Sequence, residues 1–171
     1  MRYLFLTILI SMQLFASLEE ITSFEADFTQ SITDEKDKTI VYSGHIVALK
    51  PQNVKWSYKK PVEKYVYINK FEVTVVEPEI EQVIIRRLES NFDFFKIISN
   101  AKKIEENKYL AYYRDSKFTI IKHNSLIESI SYLDEFENRV KITFKNQKQN
   151  QVIDTTIFKP IFSLKFDIIR D

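Results

Sequence analysis

The chain of 171 residues carries 25 basic and 24 acidic residues, so its formal net charge is only +1. This balance provides no basic surface able to displace counterions from nucleic acid, and we expect no nucleic-acid partner. The chain has no cysteine and a single glycine, Gly44, which excludes disulfides, thiolate metal sites, glycine-rich phosphate loops and the nucleophile elbow of serine hydrolases.

The first residues have the pattern of a cleaved secretory signal. Arg2 provides a positive charge, and residues 3–15 form an apolar run shorter than the ~20 residues of a membrane span. We place the cleavage after Ala16, so that residues 1–16 are the signal peptide, and a retained signal anchor is the alternative. We expect residues 17–171 to form a single exported domain, whose net charge is close to zero once Arg2 is lost.

Most of the remaining chain alternates between apolar and polar residues, which is the pattern of half-buried strands. A short helix is predicted at residues 18–22, and about ten strands follow it. The predicted strands are residues 24–32, 39–49, 54–60, 65–68, 71–76, 82–88, 109–113, 117–122, 126–133, 139–145 and a final 162–168. A polar loop at 146–151 and a helical turn at 154–158 separate the last two strands. Joined as hairpins in sequence order, the strands predict a strongly curved antiparallel sheet or an incomplete barrel.

Residues 91–99 depart from the strand pattern. Their apolar side chains recur at spacings of three and four residues, which predicts one short helix with a wide apolar face. These side chains are Phe92, Phe94, Phe95, Ile97 and Ile98. So many large apolar groups cannot face water, so the helix must either fill a core or cover a cavity.

A curved sheet around one short helix can enclose a cavity. Aromatic residues from several predicted strands would line its wall: Phe24, Phe28, Trp56 and Tyr58, with Tyr65 or Tyr67 and Phe71. The alternative is that the same side chains pack as the ordinary core of a sandwich.

Several segments, in this order, resemble a known family. They are S-F-E-A-D-F-T-Q at 23–30, Gly44, K-P-Q-N-V-K-W-S-Y-K-K-P at 50–61 and E-P-E-I-E-Q-V at 77–83. The third segment is similar to the R-P-x-x-x-x-W-x-x-x-x-P motif, and the fourth to the P-x-x-x-Q element, of the periplasmic outer-membrane lipoprotein carrier protein LolA family. The apolar helix stands where that family has a helix lining its cavity, and the likeness spans most of residues 17–171.

The resemblance implies a mainly β (α+β) protein with an unclosed antiparallel β-barrel and a short helical lid over an apolar cavity. It implies a carrier in the periplasm, not an enzyme, that takes acylated lipoproteins from an inner-membrane ABC transporter to an outer-membrane acceptor, either a receptor or the membrane itself. We expect a monomer with no cofactor, metal or catalytic residue. The candidate acyl-contacting residues are Phe24, Phe28, Trp56, Tyr58, Phe92, Phe94, Phe95, Ile97 and Ile98.

One basic position departs from the family pattern. The family's arginine before the proline, which helps to hold the lid closed, is matched by Lys50. Lysine keeps the charge but lacks the planar fork of donors. If Lys50 latches the lid, the closed state is less favoured than in members with arginine. The alternative is that Lys50 is a solvated surface residue.

Two other functions are compatible with the same fold. The first is a periplasmic lipid-sensing or regulatory binding module, although such modules usually have a second domain. The second is an enzyme, which the residues favour less. Glu77, Glu79 and Glu81 flank Pro78 as expected of a solvated turn, and neither histidine has acidic or histidine neighbours at a metal-ligand spacing.

Overall fold

Twelve strands of one sheet account for most of the residues that the computed structural model describes, which are 18–69, 71–87, 93–113 and 115–170. The strands are β1 (Ser23–Thr33), β2 (Thr39–Leu49), β3 (Asn53–Lys60), β4 (Lys64–Ile68), β5 (Glu72–Glu77), β6 (Gln82–Arg87), β7 (Lys102–Glu105), β8 (Lys108–Tyr113), β9 (Ser116–His123), β10 (Leu126–Leu133), β11 (Arg139–Gln149) and β12 (Asp167–Arg170). The described part of the chain also contains one α-helix, α1 (Phe94–Ser99), and 3-10 turns at Leu18–Glu20, Pro78–Ile80 and Thr155–Phe158. The predicted signal peptide and Phe92 lie outside the described residues.

The order of the strands shows that the sheet is open. It runs β12-β6-β5-β4-β3-β2-β1-β11-β10-β9-β8-β7, so two meanders, β1 to β6 and β7 to β11, are joined where β1 pairs with β11. At that seam Phe28 stands opposite Phe144. The described pairs are antiparallel except for β12 with β6, which is parallel. The predicted fold class, a mainly β protein with an unclosed sheet and one short helix, is confirmed.

The sheet is strongly curved. Five strand spacings separate β4 from β10, which is ~24 Å in a flat sheet. Val66 on β4 and Tyr132 on β10 nevertheless line the same small cavity. The two meanders therefore face each other, with β1 at the base between them.

The alternation predicted for β1 sets the inner and outer faces. Phe24 and Ala26 are fully buried and Phe28 is 3 % exposed, whereas Glu25 and Asp27 on the other face are only partly buried. The partners of Phe28 across both neighbouring strand pairs are Gly44 and Phe144. Because strand residues two apart share a face, these positions define the concave, apolar side.

One predicted loop begins too early and one strand was not predicted, because polar residues occur within strands here. The predicted loop at 146–151 begins too early, since β11 continues to Gln149. There the Gln147 side chain donates a hydrogen bond to the carbonyl of Ile127 and accepts one from its amide. Strand β7 was not predicted, because all four of its side chains are exposed and three are charged, as is common on sheet edges.

The final strand is also shorter than predicted. Of residues 162–168, only the last two belong to β12, which runs parallel to β6. Phe162 and Phe166 instead pack on the outer face of the sheet, against the buried side chains of Val76 and Val83. The apolar alternation therefore reflects a segment that covers the sheet, not a strand along its whole length.

The helices are shorter than the sequence indicates. The predicted helix at 91–99 is observed from Phe94, because Asp93 caps it, and the predicted helix at 18–22 is a 3-10 turn. None of the described helices combines the length and apolar character needed to cross a membrane.

Gly44 is required by a close approach of two backbones. It lies beside the irregularity in the β2–β3 pair, opposite Tyr58. A Cβ atom added at Gly44 would stand 2.1 Å from the carbonyl oxygen of Ser57 and 2.9 Å from the Cα of Tyr58. Neither neighbour is a flexible side-chain end, so β3 would have to move.

We expect Gly44→Ala to lower the free energy of unfolding by about 1–3 kcal/mol, the usual cost of forcing extra atoms into a packed region. Urea unfolding followed by circular dichroism measures this as a lower midpoint. Ser43→Ala, the neighbouring position on β2, serves as the control and should leave the midpoint nearly unchanged. An unaltered midpoint for Gly44→Ala would contradict the close approach.

Candidate functional site

Helix α1 is held on the concave face by its apolar side chains. Phe94, Phe95, Ile97 and Ile98 are each at most 3 % exposed. The Asp93 side chain caps the helix by accepting a hydrogen bond of 3.1 Å from the amide nitrogen of Lys96. A helix of six residues has too few internal hydrogen bonds to be stable alone, so its packing on the sheet maintains it.

Aromatic contacts join α1 to the central strand. The Phe94 ring lies 4.8 Å from the Phe24 ring, and Phe24 lies 5.2 Å from Phe144 in an edge-to-face arrangement. Phe95 packs edge-to-face on Phe94 at 5.4 Å. The helix therefore spans the seam between the two meanders and closes one end of the concave face.

A second aromatic group follows further along β1. Phe28 makes edge-to-face contacts with Trp56 at 4.9 Å and with Tyr58 at 5.0 Å. All described residues predicted to contact acyl chains thus belong to, or pack against, one apolar cluster. In this closed arrangement they contact one another, so the packing by itself fits both a lid and a core.

A cavity of about 180 Å³ remains beyond these aromatic groups. Its lining residues are Gln30, Trp56, Tyr58, Val66, Ile68, Tyr132 and Ile142. Only Trp56 and Tyr58 of the predicted residues line it, whereas Phe24, Phe28 and the α1 residues fill the adjacent space. The prediction that Tyr65 or Tyr67 and Phe71 line the cavity is wrong, because both tyrosines pack in the cluster on the outer face and Phe71 is 74 % exposed. Sequence reasoning missed Gln30, although the period of two that placed Phe24 and Phe28 continues to it.

The cavity contains polar groups that are neutral. The Tyr58 hydroxyl donates a hydrogen bond of 3.1 Å to Oε1 of Gln30. Burial raises the pKa of Tyr58 well above its ordinary range, and burial, with Asp134 nearby, raises the pKa of Tyr132 to about 12. Both hydroxyls therefore keep their protons at any pH the protein meets.

Lys50 lies against the helix. It directly follows β2, and its Nζ atom is 5.9 Å from the centre of the Phe95 ring. Its backbone amide donates a hydrogen bond of 2.9 Å to the carbonyl of Thr22, close to the first turn of the described chain. A cation placed over the face of an aromatic ring is attracted to that ring, and the attraction is stronger where water is excluded. The predicted latch residue is thus in contact with the helix that it would hold.

The outer face carries a polar cluster across the same seam. His45 on β2 donates from Nδ1 to Oδ1 of Asp27 at 2.9 Å, and Asn146 on β11 donates to the other carboxylate oxygen at 2.8 Å. These two hydrogen bonds lower the pKa of Asp27, and the one from Asn146 has the larger effect. Sequence spacing could not reveal the pairing, because the three residues come from different strands.

In the part of the chain that the structure describes, no three His, Asp or Glu side chains are grouped so that they could hold a metal ion. Glu79 and Glu81 are exposed at the turn Pro78–Ile80, as the sequence predicts.

Comparisons with known proteins agree with this architecture. The family model described as outer membrane lipoprotein carrier protein LolA matches residues 19–121. The outer-membrane lipoprotein carrier protein of Campylobacter jejuni is 40% identical over 158 residues, which cover 92% of this chain and 92% of that protein. Its counterpart from Wolinella succinogenes is 33% identical over 156 residues, covering 91% of each chain.

A solved structure shares the fold at low sequence identity. It is an uncharacterized conserved protein from Thermus thermophilus, with a TM-score of 0.54 and 12% identity over 90% of this chain and 93% of that one. The open curved sheet, the short apolar helix on its concave face and the sequence matches agree: the chain belongs to the LolA family of outer-membrane lipoprotein carrier proteins.

Proposed function

We propose that this protein binds the acyl chains of lipoproteins in the periplasm and carries them to the outer membrane. The observation that carries the proposal is the position of α1 on the concave face of an open sheet, which its buried apolar side chains cover. The names of its relatives support the same role, since they are outer-membrane lipoprotein carrier proteins.

Acyl chains need such a carrier because exposing them to water is costly. At ~0.8 kcal/mol per methylene, a chain with ~14 exposed methylenes costs about 11 kcal/mol. An aromatic and aliphatic surface such as that formed by Phe24, Phe28 and Trp56 offsets this cost. The structure offers this surface on the inner face of the sheet, where it is shielded from water.

Cargo must displace α1 to reach that surface. The cavity of about 180 Å³ is smaller than the ~300–1,000 Å³ of ordinary ligand pockets. The side chains of Phe94 and Phe95 occupy adjacent space that an acyl chain would fill. Apolar contacts have no fixed direction, so acyl methylenes can replace the helix without leaving polar groups unpaired.

The same competition allows release. A closed, empty protein regains the packing of α1 on Phe24, and this gain reduces the net affinity for cargo. A membrane or receptor that offers an equal apolar environment without this competition then takes the acyl chains. The latch role of Lys50 belongs to this scheme, because its contact with Phe95 exists only when the helix is seated.

The remaining parts of the proposal concern location and partners. Residues 1–16 act as the export signal, and residues 17–171 form one monomeric domain without catalytic activity. An inner-membrane ABC transporter supplies the lipoprotein, and a receptor or the outer membrane accepts it. A lipid-sensing module on the same fold is the alternative function.

Purified protein corresponding to residues 17–171 should release lipoproteins from spheroplasts of a Gram-negative bacterium into the soluble fraction. Immunoblotting of the supernatant for an outer-membrane lipoprotein measures the release. Bovine serum albumin, which binds fatty acids, controls for non-specific extraction. If the folded protein releases no lipoprotein, the carrier function is wrong.

Phe95→Asp tests whether the apolar face of α1 itself contacts cargo. A carboxylate at this position would stand against the acyl chains that Phe95 contacts in the loaded protein, and burying it there is costly, so we expect lipoprotein uptake to fall at least tenfold while the sheet remains folded. Lys96→Gln changes the exposed side of the same helix and should keep uptake. If Phe95→Asp abolishes the cooperative unfolding transition, the helix is part of the core and does not act as a lid.

Lys50→Arg tests the latch. Arginine adds donors and stacks well on aromatic rings, so the closed state should become more favourable and cargo affinity should fall several-fold. Lys55→Arg provides the matched control, because Lys55 lies over Tyr67 at 5.3 Å on the outer face. Titration with a fluorescent triacylated lipopeptide measures both affinities. Equal affinities for Lys50→Arg and wild type would show that Lys50 does not hold the helix.

A further inference from the structure

Gln30 is a buried polar residue in an apolar cavity. Its side chain lines the cavity and the residue is only 9 % exposed. It stands on the same face of β1 as Phe24 and Phe28, opposite Ile142 of β11. An amide at this depth has to be hydrogen-bonded, because an unpaired buried polar group destabilises the fold.

The hydrogen bonds of Gln30 are incomplete. Its Oε1 atom accepts the hydrogen bond from Tyr58. Its Nε2 atom has no acceptor among the described residues, and because no fully buried side-chain nitrogen or oxygen there lacks a partner, this atom remains accessible from the cavity. A glutamine amide carries two donor hydrogens. The cavity therefore presents a neutral donor to any molecule that enters it.

We propose that the amide nitrogen of Gln30 binds the carbonyl oxygen of an ester-linked acyl chain, with Tyr58 orienting the amide. The inference rests on the proposed carrier function and adds to it the group that the cavity recognises. An ester suits this site because it only accepts hydrogen bonds and brings no donor or charge that the cavity would have to satisfy. Tyr58, as a protonated donor to Oε1, fixes the amide so that Nε2 faces the cavity.

The position of Gln30 also gives the bound chain a direction. Six residues along β1 separate Phe24 from Gln30, which corresponds to ~20 Å. At the Phe24 end the surroundings are the rings of Phe94 and Phe144. At the Gln30 end the ammonium group of Lys64 lies 4.9 Å from the Tyr58 ring centre, and such a group remains hydrated. The polar head of the lipid therefore lies at Gln30 and the methyl end of its chain extends towards α1.

Two lipopeptide probes that differ only in the acyl carbonyls test this inference. One is a fluorescent peptide with an S-diacylglyceryl cysteine and no N-linked acyl chain, and the other is its dialkylglyceryl ether analogue. We expect the wild-type protein to bind the ester form about three- to tenfold more tightly, the effect of one neutral hydrogen bond. Gln30→Leu and Gln30→Met should both remove this preference, because neither side chain can donate a hydrogen bond.

The controls separate folding from recognition. Gln151→Leu makes the same chemical change at an exposed position and should retain the preference. Urea midpoints and circular dichroism establish whether each variant is folded. If Gln30→Leu does not fold, Gln30→Met, whose unbranched side chain is close to glutamine in size, provides the test instead.

Each outcome decides a different claim. Equal affinities of wild type for the two probes, or a preference that survives in folded Gln30 variants, would overturn the role of Gln30 while leaving the carrier function intact. Binding of neither probe by folded wild-type protein would overturn the carrier function, and with it this inference.

Discussion

The packing of Phe94 on Phe24 is the interaction on which the rest of the structure depends. Phe24 lies on the strand that joins the two meanders, and it contacts both the helix and Phe144 of the second meander. One ring therefore couples the seam of the sheet to the element that covers it. Because the contact is apolar, its strength follows the area removed from water, and acyl methylenes can replace it.

The two faces of the seam differ in how they are held. On the outer face, directional hydrogen bonds from His45 and Asn146 converge on Asp27 and tie β2 and β11 to β1. On the inner face, rings and aliphatic chains pack against one another, and the hydrogen bond from Tyr58 to Gln30 lies at one end of this packing. A carrier needs this division, since the sheet has to persist while its inner contacts are exchanged. The hydrogen bonds between strands on the outer face hold the sheet together, and the apolar packing on the inner face allows its contacts to be exchanged.

The concave face also changes along its length. Near Phe24 it is closed by α1 and contains aromatic rings, and near Gln30 it contains an amide and two tyrosine hydroxyls. A lipid has the same division between an apolar chain and a polar linkage. This match in polarity, more than the volume of the closed cavity, supports the proposal that the inner surface binds lipid. The high pKa of both tyrosines keeps their hydroxyls neutral.

The sequence by itself determined most of the strands, the apolar helix and the family, because period-two and period-3.6 patterns are local and the resembling segments are ordered along the chain. It did not determine β7 or the true extent of β12. It predicted that Phe24, Phe28, Trp56 and Tyr58 face one side. Only the tertiary structure decided that Gln30 meets Tyr58 and Ile142, that Lys50 rests against Phe95, and that 162–166 covers the outer face. These contacts join residues far apart in sequence, and they depend on the pairing of β1 with β11 and on the curvature of the sheet, which local periodicity does not encode.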